Sequence, residues 1–143
     1  MMHARATFSP LWVFFCAMVA VTSLTTPSLA QERLLAQYVA DIGPEDHYNS
    51  SGTRLTSFAA LIAQDRANYH RFGIRHDDDG ADPIFSDRAM RAQIGPGVMD
   101  IEDYYDQYVR NILASNGAGG TYFIVNVYGQ AGRISRISIT VPG

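Results

Sequence analysis

Side chains suited to acid–base or binding chemistry are concentrated in two neighbouring stretches of the sequence, residues 44–54 and residues 57–72. A histidine close to a carboxylate can act as a general base, because the carboxylate orients the imidazole ring and favours its charged form. His47 and Asp65 are the candidate catalytic pair, which could activate water or Ser50 for hydrolysis. The wider set of candidate binding residues is Asp46, His47, Asn49, Asp65, Arg66, Tyr69 and His70.

The stretch 57–72 predicts an amphipathic helix with one anomaly. Its apolar stripe keeps helical spacing and consists of Phe58, Leu61, Ile62, Tyr69 and Phe72. Asp65 projects into that stripe, and burial of an unpaired carboxylate is strongly unfavourable, so we expect it to have a partner. Arg54, Arg66, His47 or a backbone N–H could serve. Two interpretations remain open: a buried ion pair that fixes a loop, or a polar cleft with Asp65 as base or ligand anchor.

Two other constellations have simpler explanations. Residues 50–54 precede the helix, where free backbone N–H groups favour an anion, but an ordinary capping turn accounts for the same residues. The acidic segment 75–83 is typical of a solvated loop. It partly matches a Ca²⁺ loop, but Arg75 and Ser86 stand at the first and twelfth ligand positions, which require Asp and Glu. The histidines show no zinc-ligand spacing. The sequence therefore predicts no metal site and no cofactor.

Three helices are expected to position these residues, over residues 57–72, 87–94 and 101–115. Their predicted N-caps are Thr56 or Ser57 for the first, Ser86 for the second and Asp100 for the third, because each side-chain oxygen can accept from a free backbone N–H. Gly73 is placed to end the first helix.

Strands are predicted on either side of the helices. Residues 34–42 fit both a helical and an alternating pattern, and we favour a strand from Tyr38. Residues 121–141 predict a β-hairpin with its turn at 129–132 and a bulge near 135–136. The first hairpin strand is apolar on both faces, which predicts a central place in the sheet or cover on both sides. The fold prediction is α+β: a small antiparallel sheet including the C-terminal β-hairpin, packed against two main amphipathic helices and one short helix.

Residues 1–30 predict a cleavable signal peptide, followed by a single exported domain over residues 31–143. The uncharged apolar run 11–24 has about 14 residues, fewer than the roughly 20 that cross a bilayer. Small residues, Ser28 and Ala30, stand at the positions that a signal peptidase reads. The expected location is periplasmic or secreted, with no stable membrane span after cleavage.

Residues 31–143 carry a mildly acidic mixture of charges, with 10 Arg, no Lys and 14 Asp plus Glu. That balance argues against nucleic acid as a partner, because phosphate binding favours a basic patch. The single cysteine, Cys16, lies in the signal segment, so the exported domain has no disulfide.

The sequence favours a small exported binding or interaction domain over an enzyme, with a polar patch formed by the 44–54 loop and the 57–72 helix. Its partner would be a small ligand or an envelope protein. A hydrolase using Asp65 and His47 is one alternative, although no G-x-S-x-G motif supports it. A structural envelope component that assembles through a free sheet edge is the other.

Overall fold

The computed structural model describes residues 31–117, 121–130 and 132–142. The prediction of a signal peptide falls on residues 1–30, which lie outside the described part. The elements, in chain order, are β1 (Arg33–Ile42), a 3₁₀ turn (Pro44–His47), α1 (Phe58–Ala67) continued by a π-helical turn (Asn68–Phe72), α2 (Arg88–Arg91), 3₁₀ turns at Pro96–Val98 and Asp103–Tyr105, α3 (Asp106–Ala114), β2 (Thr121–Gln130) and β3 (Arg133–Thr140). The α+β prediction is confirmed.

The sheet has three antiparallel strands in the order β1-β2-β3, so β2 is central as predicted. Residues 34–42 form a strand, and β1 begins at Arg33 rather than at Tyr38 because its pairing with β2 continues as far as Gly129. In the hairpin, Tyr128 pairs with Arg136 while Gly129 pairs with Ile134. Ser135 is therefore the extra residue of the predicted bulge.

The core lies on the face of the sheet that carries Phe123, Val125 and Val127, all fully buried. Helix α1 covers this face with Leu61 and Ile62, which are also fully buried. Apolar burial of this kind contributes about 25 cal/mol per Å² and is the main force holding helix to sheet. Helix α3 lies further out, and Ile112 is its only fully buried residue.

The main helix begins as predicted, with the Ser57 hydroxyl accepting from the Ala60 N–H at 3.2 Å. It ends at Gly73, whose φ of 70° is the left-handed conformation that glycine adopts without strain. The place of Phe72 in the apolar stripe is wrong, because its side chain is exposed. The chain enters a π-helical turn at Asn68, and the wider turn rotates later residues away from the projected stripe.

The other two helices differ from prediction at their starts. The short helix covers only Arg88–Arg91, and Asp87, rather than Ser86, caps it by accepting from the Ala89 N–H. The third helix does not start after Asp100, because the Asp100 N–H donates to the Ile137 carbonyl at 2.8 Å. That bond holds the chain against β3, so helical structure starts only at residue 103. Among the described residues, no helix is both long and apolar enough to cross a bilayer.

Candidate functional site

The carboxylate of Asp65 is bound by the guanidinium of the next residue. Arg66 Nε donates to Asp65 Oδ2 at 2.7 Å, and Arg66 Nη2 donates to Asp65 Oδ1 at 3.2 Å. The Asp65 side chain is 1 % exposed and the Arg66 side chain 0 % exposed. Of the partners considered for Asp65 from the sequence, Arg66 is the one that binds its carboxylate. The geometry is that of a buried ion pair, the first of the two interpretations.

Arg66 also holds the segment that follows α1. Its Nη2 lies 3.1 Å from Asp79 Oδ1, and its Nη1 lies 3.3 Å from Asp82 Oδ2 and 2.9 Å from the Gly80 carbonyl. The prediction that residues 75–83 form a solvated loop is therefore wrong for Asp79 and Asp82, whose side chains are almost completely buried. They enter the interior because the buried guanidinium offsets part of their charge and donates hydrogen bonds to them.

Two tyrosine rings complete this arrangement, which we call the Arg66 cluster: Arg66, Asp65, Asp79, Asp82, Tyr38 and Tyr69. The guanidinium carbon lies 4.2 Å from the centre of the Tyr38 ring and 4.7 Å from that of the Tyr69 ring. A planar guanidinium stacks well on aromatic faces while its edge donates hydrogen bonds. The cluster thus fixes α1, β1 and the 75–83 segment to one another.

Two histidines extend the cluster at opposite ends. His70 Nε2 lies 2.6 Å from Asp82 Oδ2. His76 contacts three carboxylates, since its Nε2 lies 3.1 Å from Glu45 Oε2 and its Nδ1 lies within 3.5 Å of Asp46 Oδ2 and Asp79 Oδ2. Sequence reasoning included His70 among the binding candidates. It considered Asp79, Asp82 and His76 only as metal ligands and did not place them beside Arg66. The spacing of 13 and 16 residues from Arg66 to the two aspartates gives no helical or strand signal.

The pKa values in this region depend on the balance between burial and charge. Burial raises the pKa of Asp65 to about 7, even though Arg66 favours the ionised form. Burial likewise raises the pKa of Asp46. Burial alone would raise the pKa of Asp82, but the hydrogen bonds from His70 and from backbone N–H groups outweigh it and lower that pKa.

His47 does not meet Asp65. It is fully buried, and neither of its ring nitrogens has a hydrogen-bond partner. Burial and the nearby charge of Arg54 lower its pKa, which favours the neutral imidazole. Since both Asp65 oxygens accept from Arg66, the two residues form no acid–base pair, and Ser50 lies at the surface. The Asp65–His47 pair that the hydrolase alternative requires is therefore not assembled.

The candidate anion site at residues 50–54 is also occupied by the chain itself. The Arg54 guanidinium donates to the carbonyls of Leu113 and Ser115, at the end of α3. The Asn49 side-chain oxygen accepts from the N–H groups of Ser51 and Thr53 at 3.0 and 2.9 Å. The bonds to Asn49 are those of an ordinary turn within the loop. The explanation as a capping turn is wrong in detail, because Ser57 caps the helix that follows.

A groove of about 350 Å³ lies where the 44–54 loop meets α1. We call it the loop–helix groove, and it is lined by Glu45, Tyr48, Asn49, Ser50, Gln64, Asn68, Phe72 and Ile74. Of the residues singled out from the sequence, Asn49 lines this groove and Asp46 lies behind it. Asp65, Arg66, Tyr69 and His70 belong to the Arg66 cluster or contact it.

The wall of the groove contains a fixed chain of amide hydrogen bonds. Gln64 Nε2 donates to Asn68 Oδ1 at 2.8 Å, and Asn68 Nδ2 donates to Asp46 Oδ1 at 2.8 Å. The other Asp46 oxygen accepts from the Gly43 N–H at 2.9 Å. Each side chain is oriented by the next, so the amides in the wall of the groove have fixed orientations.

The described residues, 31–117, 121–130 and 132–142, contain no group of three or more His, Cys, Asp or Glu side chains placed to hold a metal ion. Comparison of the chain with protein-family models, with curated proteins and with solved structures finds no match.

Proposed function

We propose that this protein is a small exported binding domain whose ligand site is the loop–helix groove. The observation that carries the proposal is a convergence of exposed apolar side chains. In the described part of the chain six large hydrophobic side chains are exposed, and three of them line this one groove: Tyr48 at 40 %, Phe72 at 45 % and Ile74 at 36 %. Single exposed apolar residues are ordinary, whereas a cluster of them around a concavity is typical of a binding site.

The lining favours a short peptide segment as the ligand. Tyr48, Phe72 and Ile74 offer an apolar surface for one side chain. The half-buried amide of Gln64, held in place by its bond to the buried Asn68, offers a neutral carbonyl oxygen and a second N–H that match a peptide main chain. Such a segment could belong to an envelope protein or be a free peptide.

The buried surroundings of the groove suit a preformed site. Asn68, in the groove wall, and Tyr69, in the Arg66 cluster, are neighbours in the π-helical turn, and both are buried. The turn is thus fixed on one side by the cluster and on the other by the bond from Asn68 to Asp46. A site that is ordered before binding loses less entropy when its ligand arrives.

A larger hollow of about 510 Å³ lies beside the start of β1, lined in part by Arg33, Leu34, Ile84 and Met90. Leu34 is the only one of the six exposed large hydrophobic side chains that lines it. Volume alone does not identify a binding site, and we therefore prefer the smaller groove, where exposed apolar groups and oriented amides occur together.

The alternative of assembly through a sheet edge has no observation in its favour. The outer edge of β3 is covered where Asp100 N–H donates to Ile137, and that of β1 where Gly80 N–H donates to the Val39 carbonyl at 2.9 Å. A segment that occupies part of an edge in this way hinders the pairing of that edge with another chain.

The test is an NMR titration of the ¹⁵N-labelled protein with N-acetylated, C-amidated tripeptides that differ in their central side chain. We expect peptides with a central Leu or Phe to shift the side-chain amides of Gln64 and Asn68. Phe72→Ser should weaken that binding about tenfold, since it removes roughly 1.4 kcal/mol of apolar contact.

The matched control is Tyr104→Ser, which changes an exposed aromatic residue that does not line the groove. We expect it to bind the same peptides as the wild type. The proposal is refuted if no tripeptide shifts the groove amides, or if the shifts map instead to the hollow beside β1.

A further inference from the structure

His76 joins two segments of the chain beside the groove. Its ring nitrogens lie 3.1 Å from Glu45 Oε2, 3.4 Å from Asp46 Oδ2 and 3.5 Å from Asp79 Oδ2. Glu45 and Asp46 belong to the turn Pro44–His47, whereas His76 and Asp79 belong to the segment after α1. One imidazole ring is therefore the shared partner of three carboxylates that come from both segments.

The other charged groups near His76 do not replace its charge. Asp41 and Asp77 line the same hollow of about 280 Å³ and add negative charge. Arg75 also lines it, but its guanidinium lies over a tyrosine ring, 4.3 Å from the ring centre. Arg66, from α1, is engaged by its own cluster. The charge between the three carboxylates is thus set by whether the His76 ring carries one proton or two.

We propose that His76 is a pH-dependent clamp on the loop–helix groove, closed when the ring is protonated and loosened when it is neutral. This inference rests on the proposed function, because it assigns a regulation to that same groove. The protonated imidazolium attracts the turn and the following segment together. The neutral ring leaves the carboxylates facing one another, and their mutual repulsion separates the two segments.

A continuous path connects His76 with the groove. The Asp46 oxygen that faces His76 also accepts from the Gly43 N–H, and the other Asp46 oxygen accepts from Asn68. Asn68 in turn accepts from Gln64 in the groove wall. A movement of Asp46 must therefore change the orientation of both amides. Glu45, which contacts His76 directly, is itself a lining residue of the groove.

The packing around the ring makes this contact tight. A Cβ atom added to Gly43 would lie 2.0 Å from His76 Nε2, so the imidazole packs directly on the glycine backbone. The ring therefore cannot approach the turn more closely without movement of the turn.

The titration range suits such a clamp. Burial alone would lower the pKa of His76, but the hydrogen bond to Glu45 and the charges of Asp46 and Asp79 outweigh it and raise that pKa. A histidine with a raised pKa stabilises the folded arrangement below the pKa of the free ring, about 6.5. That contribution is lost as the pH rises through the folded-state value.

The experiment is a pH titration of the ¹⁵N-labelled wild-type protein by NMR without any ligand, between about pH 5 and about pH 9. We expect the His76 ring protons and the side-chain amides of Asn68 and Gln64 to shift with one common midpoint, above about 6.5. Amides that do not move, or that move with a different midpoint, would overturn the proposal.

Two variants separate the clamp from other effects. His76→Gln should remove the part of the Asn68 and Gln64 titration whose midpoint matches that of the His76 ring, and any part that remains belongs to Asp65, whose pKa is raised to about 7. His70→Gln, which changes the histidine at the far end of the cluster, should preserve the His76 part. If His76→Gln does not fold, the wild-type protein still tests the clamp, because the midpoints of the His76 ring and of the two amides can be compared in it. The pH titration uses no peptide, so its result does not depend on whether the groove binds a tripeptide. Conversely, amides that do not titrate would refute the clamp without refuting peptide binding.

Discussion

Replacement of Arg66 by methionine is the most direct perturbation of the Arg66 cluster. Methionine retains an unbranched stem of similar reach, so the packing against Tyr38 and Tyr69 is largely conserved, while the guanidinium and its hydrogen bonds are removed. Asp65, Asp79 and Asp82 would then lie in the interior without their cation. The variant therefore tests the electrostatic role of Arg66 with little change in volume.

The expected loss of stability follows from the burial of the three carboxylates. Removal of one partner from a buried ion pair costs about 3–5 kcal/mol. For a folded region of the size that the structure describes, residues 31–117, 121–130 and 132–142, 1 kcal/mol corresponds to a Tm change of about 4 °C. We therefore expect Arg66→Met to lower the Tm by about 12–20 °C at pH 8.

The loss should depend on pH in a defined direction. Without the guanidinium the folded-state pKa values of the carboxylates rise, so the folded protein binds protons that the unfolded chain does not. At acid pH these carboxyl groups are protonated in the folded protein, and their burial then costs least. The free energy of unfolding falls as the pH rises through their folded-state pKa values. At pH 5 we expect the Tm difference from wild type to be about half that at pH 8.

The measurement is thermal unfolding of wild type and variant at both pH values by circular dichroism. Arg71→Met, at an exposed arginine of the same helical segment, is the control and should change stability by no more than about 0.5 kcal/mol. An Arg66→Met loss below about 1 kcal/mol at pH 8, or one of equal size at both pH values, would refute the electrostatic account.

Three further changes test local features by urea unfolding. Ser57→Ala should cost about 1 kcal/mol through loss of the helix cap, while Thr56→Ala should be close to neutral; equal effects would contradict the assignment of the cap. Gly73→Ala should cost about 1 kcal/mol because of its positive φ, whereas Gly97→Ala, with open space around it, should not. His47→Leu should reduce the loss of stability on acidification below about pH 6.5, because the buried neutral ring has a lowered pKa; an unchanged pH profile would exclude this.

The strands and helices were predictable where a local pattern dominates. Alternation in β2 identified the face with Phe123 and Val125, and the parity change in β3 identified the bulge at Ser135. The starts of the shorter helices were not predictable in the same way. The third helix starts late because Asp100 bonds to Ile137, a contact between residues distant in sequence that no local propensity encodes.

The site was predictable only in part, for a related reason. Asp65 was singled out because a carboxylate in an apolar stripe requires a partner, and Arg66 was among the partners considered. The inward direction of Arg66 itself was hidden, because an arginine beside the stripe is ordinarily a surface residue. Without that direction, the run of aspartates at 77–79 is indistinguishable from a solvated loop.

The composition of the Arg66 cluster has a consequence for the whole domain. One guanidinium faces Asp65, Asp79 and Asp82, and an interior of low dielectric does not hold so large an excess of negative charge. Bound protons reduce this excess, and two groups favour them: burial raises the pKa of Asp65, and the neighbouring carboxylates raise that of His76. Folding is therefore coupled to proton uptake. His47, whose pKa is lowered, has the opposite effect on stability, but it is one group against two. We therefore expect this domain to be more stable near pH 5.5 than near pH 8.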